Sequence, residues 1–98
     1  MTSILSAERF EALRGTTFGT RAGDVSLPDL RLQTVGRFDA PAGAPRSDPF
    51  TLVFVGPPPA IEQRIYTLSH AELGEVDIFL VPIGLDSDGS VRYEAVFN

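Results

Sequence analysis

The chain has 98 residues and a net charge of −5, with 43% hydrophobic and 21% charged residues. That length gives one core, burying roughly 65% of the surface the unfolded chain exposes, and seven Phe and two Tyr mark a folded unit rather than a tail. All eight basic residues are Arg, scattered singly, which excludes the basic field nucleic acid requires; the lack of Lys and Cys excludes Schiff-base chemistry, a P-loop lysine, thiolate catalysis, thiolate zinc and disulfides.

Met1-Thr2-Ser3-Ile4-Leu5-Ser6 has no basic segment leading into an apolar one, so it does not read as a secretory signal, and no apolar run reaches the ~20 residues that cross a bilayer. The expected compartment is the cytoplasm, with no membrane partner. Ser6 is a candidate N-cap for a short helix over residues 6–14 that ends at Gly15. Ala7, Phe10 and Leu13 fall on one face of it. Fewer than ~12 residues do not hold a helix in water, so this face has to dock on something larger.

The rest alternates as strands do. Thr16 to Arg21 and Leu27 to Val35 form a hairpin around Ala22-Gly23-Asp24, with Pro28 marking an edge or bulge. Gly36 to Pro49 has no period and three prolines, and reads as one long loop. Phe50 to Val55 is apolar or β-branched on both faces, the pattern of a central strand, and Gly56-Pro57-Pro58-Pro59 stops it. Ile65 to His70 follows, then a reversal over Ala71 to Gly74. Next come Val76, Ile78 and Leu80 alternating with Asp77, Phe79 and Val81 as far as Pro82, and a turn at Asp86-Ser87-Asp88-Gly89. The last strand, Val91 to Phe97, sends Val91, Tyr93, Ala95 and Phe97 inward and Arg92, Glu94 and Val96 outward. The expectation is a single mainly β domain over 1–98, a six-stranded antiparallel meander closed into a barrel or folded into a sandwich, with one N-terminal helix.

Few residues carry chemistry. His70 follows Ser69 directly, and neighbours on a strand point to opposite faces, so the two form no nucleophile and base pair. Glu75 and Asp77 share a face at ~7 Å, a spacing at which two carboxylates can divide acid and base roles, although solvated edge charges do the same more often. Asp86-x-Asp88-Gly89 opens like a calcium loop, but Glu94 falls too early to be its twelfth ligand, and the same residues suit a tight turn. The triple proline is either a polyproline ligand or a stiff connector. No catalytic triad, metal cluster or phosphate loop is present, and no cofactor is implied.

Five segments carry a resemblance: Phe10-x-x-Leu13-x-Gly15-x-x-Phe18, Phe50-x-Leu52-x-Phe54-x-Gly56-Pro57, Tyr66-x-Leu68-x-His70-x-x-Leu73-Gly74, Phe79-Leu80-Val81-Pro82, and the ending Tyr93-Glu94-Ala95-Val96-Phe97-Asn98. Together they resemble a family of short bacterial proteins classed as a domain of unknown function. The resemblance implies a structural or assembly role, since members can be encoded near phage-tail-collar-like fibre proteins, and it implies no catalytic residue. Three functions are therefore expected in order. The first is a non-catalytic interaction or assembly module, binding a protein partner or itself through apolar strand edges. The second is a barrel for a sugar or metabolite, seated at one end and lined by Tyr66, His70 and Tyr93. The third is a minimal hydrolase using His70 with Glu75 or Asp77.

Overall fold

A computed structural model describes residues 6–37 and 49–97. Helix α1 (Ala7–Ala12) is followed by β1 (Thr17–Ala22), β2 (Val25–Arg37), β3 (Phe50–Gly56), β4 (Arg64–His70), β5 (Gly74–Leu85) and β6 (Val91–Phe97). The six strands close into an antiparallel barrel in the order β1-β2-β3-β6-β5-β4, so of barrel and sandwich the chain forms the barrel. It is not one continuous meander. β1-β2-β3 and β4-β5-β6 are two meanders, and the chain crosses from β3 to β4 so that Thr20 of β1 pairs with Leu68 of β4. The prolines account for the crossing. Pro57 to Pro59 lack the donors a hairpin would use, and the seven residues 57–63 between β3 and β4 reach at most about 25 Å, enough to pass over the end of the barrel.

The first hairpin turns on Gly23, whose φ of +60° ahead of Asp24 suits the two-residue turn that follows strand twist. Three bulges bend the long strands. Pro28 and Asp29 together face Gly19, as Pro28 predicts; Gln33 is the extra residue against β3, and Ile83 the extra residue against β6. β2 also runs two residues further than the sequence suggests, because Gly36 and Arg37 pair with Thr51 and Phe50. Residues 38–48 of the expected loop lie outside the described residues. β5 continues through Pro82 to Leu85, since a proline is accommodated where a bulge interrupts the ladder.

Alternation fills the interior. Phe18, Leu32, Leu52, Phe54, Leu68 and Leu80 are fully buried, and Val76, Ile78, Val91, Tyr93 and Ala95 point inward as their spacing requires. β3 has both faces covered: outer Val53 and Val55 are buried as well. Phe97, expected in the core, is half-buried and stacks on Phe50 at 4.5 Å with rings 9° apart.

Helix α1 is shorter than the expected 6–14. Ser6 caps it, its hydroxyl accepting from the Arg9 N–H at 3.3 Å. At the other end Thr16 takes the Leu13 carbonyl with both its N–H (3.1 Å) and its hydroxyl (2.5 Å), which ends the helix before Gly15 turns at φ +87°. The face made by Ala7, Phe10 and Leu13 is buried across one end of the barrel, with the Phe10 ring 5.9 Å from both Phe50 and Phe97. Ion pairing of Glu11 with Arg37 and a bond from Arg9 to the Glu72 carbonyl fasten the plug at its rim.

Candidate functional site

Tyr66, His70 and Tyr93 do not converge on one end. β4 starts at the connector and finishes at the helix, so Tyr66 and His70 stand toward opposite ends of the barrel. Tyr66 and Tyr93 do come together: the Tyr93 hydroxyl accepts the Ile61 N–H at 2.9 Å, and the Tyr66 hydroxyl donates to the Glu62 carbonyl. Their barrel-facing rings thus hold residues 61 and 62 across the end opposite α1. Burial pushes the Tyr66 phenol above its ordinary value, and the Glu62 carboxylate adds to this while Arg64, 5.8 Å over the ring, opposes it.

His70 has both ring nitrogens engaged. Nδ1 accepts the Glu72 N–H at 3.1 Å, which leaves the proton on Nε2 to be donated to the Thr16 hydroxyl at 3.0 Å. The hydroxyl in turn donates to Leu13, and the imidazole lies 4.8 Å from the Phe18 ring. This chain of bonds joins the turn after β4 to the end of α1. Glu75 and Asp77 share the outer face as expected, each with its own partner: Glu75 accepts from Arg21 at 2.9 Å, and Asp77 from the Thr67 hydroxyl at 2.7 Å. The hydrolase arrangement would draw on groups already spent on structure.

The Asp86 to Gly89 segment is a turn whose carboxylates serve its own backbone. Asp86 accepts from Ser87 N–H and from Gln33, and Asp88 accepts from Ser90 N–H at 2.9 Å, which holds the Asp88 carboxyl below its usual range. No group of three or more His, Asp or Glu able to hold a metal occurs among the described residues. Pro57 to Pro59 are exposed in the connector.

The wall is open between β5 and β6. The β5–β6 ladder runs from Leu85–Val91 to Val81–Glu94 and stops there. Beyond it Ile78, Phe79 and Leu80 pair only with β4, and Ala95, Val96 and Phe97 only with β3. A groove of about 250 Å³ follows this seam, lined by Asp77, Phe79, Val81, Glu94 and Val96 among others. Phe79 is 48% exposed, Val96 53%, and Ile65, the partner of Phe79 on β4, 61%, so exposed apolar residues stand together along this seam rather than singly. The sequence places these residues on outer faces but not beside one another. The available signal was Pro82-x-Gly84, which interrupts a ladder just after the outward apolar residues Phe79 and Val81.

The family described as Domain of unknown function (DUF6916) matches residues 5–97. The chain belongs to that family. No curated protein and no solved structure matches the chain. The match covers α1 and all six strands, so the barrel and its seam both lie within the matched residues. No helix among the described residues is long and apolar enough to cross a membrane.

Proposed function

We propose that this domain is a non-catalytic protein-interaction or assembly module working in the cytoplasm, and that the β5–β6 seam is its contact surface. The observation that carries this reading is the seam itself: a groove flanked by exposed Ile65, Phe79 and Val96 on a barrel whose interior is packed with side chains and whose ends are covered by α1 and by residues 61–62. The commitment of His70, Glu75 and Asp77 to structural bonds supports a module without chemistry. An assembly of the tail-fibre kind is one setting for such a module. Light scattering and affinity capture from the native host, run on the wild type and on Phe79→Ser, test it. A partner or oligomer lost in the variant supports the reading; a strict monomer that captures nothing overturns it.

A second reading has one observation in its favour. A hollow of about 250 Å³ beside Tyr66, lined by Val25, Leu27 and Ile61, opens at the connector end and could take a small metabolite. A thermal-shift panel of sugars and metabolites, with Tyr66→Phe as control, separates the two.

A further inference from the structure

Resting on the interaction reading, we infer that the seam groove binds an extended segment of another protein in which an apolar side chain is flanked, two residues away on each side, by Arg or Lys.

The register sets this pattern. Continuing from the Val81–Glu94 pair places Phe79 level with Val96, and Phe79 already pairs with Ile65. Three outward apolar side chains therefore form a row across β4, β5 and β6. On β5, Asp77 stands two residues before Phe79; on β6, which runs the other way, Glu94 stands two residues before Val96. The apolar row thus has a carboxylate about 7 Å away at each end, one on either strand. Among the described residues no cation pairs with Glu94, and Asp77 meets only the Thr67 hydroxyl. The floor is apolar and both ends are acidic.

An extended segment repeats its side chains on one face at the same 7 Å, so a basic-x-apolar-x-basic strand sets its apolar group on Phe79 and Val96 and its two cations on Asp77 and Glu94. In each of the trios 78–80 and 95–97, at least one residue also turns its main chain toward the seam, offering the segment backbone bonds. Charge argues against a second copy of this chain as occupant: the net charge is −5, and among the described residues lining the groove the charged ones are the carboxylates Asp77 and Glu94.

The test titrates the isotope-labelled full chain with acetyl-Thr-Arg-Thr-Leu-Thr-Arg-Thr-amide, and with control peptides carrying Glu for Arg or Ser for Leu. The expected result is amide shifts confined to 77–81 and 94–97, affinity at least tenfold above either control, and a tenfold loss in Phe79→Ser at unchanged melting temperature. Asp77→Asn and Glu94→Gln should each weaken binding severalfold and flatten its salt dependence. Equal binding of the Glu peptide, or shifts elsewhere, overturns the inference. If no peptide binds and the chain forms a dimer that Phe79→Ser dissolves, the occupant is a second copy: the inference fails and the interaction reading stands. A monomer that binds no peptide and captures the same partners with or without Phe79→Ser overturns both.

Discussion

Replacing Phe10 with Ala tests whether the six-residue helix is part of the fold or an ornament on it. The Phe10 side chain has no exposed surface and lies 5.9 Å, ring to ring, from both Phe50 and Phe97, which are themselves stacked. Emptying such a site costs about 3–5 kcal/mol in lost transfer energy and cavity formation. The two ring contacts are part of that total rather than an addition to it. Against a domain stability of about 5–15 kcal/mol the loss is severe, and at about 4–8 °C per kcal/mol the midpoint should fall by at least about 12 °C. Urea unfolding followed by circular dichroism gives the free energy directly, with exposed Glu8→Ala as control, expected within about 0.5 kcal/mol of wild type. If Phe10→Ala melts with the wild type while only residues 6–15 exchange their amides faster, then α1 opens independently and the barrel closes without it. That result would refute the view that α1 completes the core.

Three further outcomes follow from packing and ionisation. Deleting Tyr93 to Asn98 removes the strand that pairs β3 along its length and the buried Tyr93 ring, so the truncated chain should show no cooperative melt. A Cβ at buried Gly56 would run into the Leu30 side chain, so Gly56→Ala should cost about 1–3 kcal/mol in urea melts, with part of it recovered in the double variant carrying Leu30→Val. The Tyr66 phenol is raised in the folded chain, so its contribution to stability is present below the unfolded value near 10 and is lost as pH rises through the folded one. Urea midpoints from pH 8 to 11 should fall for wild type more steeply than for Tyr66→Phe, and parallel profiles would contradict a phenol raised by burial.

Much of the fold was legible because alternation and turn chemistry are local. Phe50, Leu52 and Phe54, or Val76, Ile78 and Leu80, announce an inward face within one strand, and Ser6 and Gly15 bracket a helix whose apolar spacing already says it must dock. Which strands become neighbours is not local. Nothing in Arg64 to His70 says that it pairs with β1, because that follows from where the connector lands, and the connector is held by Tyr66 and Tyr93 through bonds to main-chain atoms that any residue supplies. The same reason hid the roles of the candidate residues. A tyrosine that pins a loop and one that lines a pocket have the same signature along a strand, and His70 discloses its partners only when Thr16 is brought 54 positions back to it.

The seam has a physical cause in the chain. Pro82 has no N–H to give the ladder, and Ile83 is the unpaired residue of the bulge between Pro82 and Gly84, whose φ of +137° a side chain rarely tolerates. A bulge bends its strand and increases its local twist, so β5 approaches β6 correctly from Leu85 to Val81 and then follows β4 instead. Natural barrels close to remove edges, since unpaired strands invite association. Here closure is relaxed over three residues on each side, while Phe79 and Val96 are kept at the opening where a charge would have protected it. The carboxylates that would serve as such guards, Asp77 and Glu94, stand one side-chain repeat away from the apolar row rather than in it. That arrangement discourages an acidic copy of the same chain and leaves the row itself free, which is what a wall built for a basic, extended partner requires.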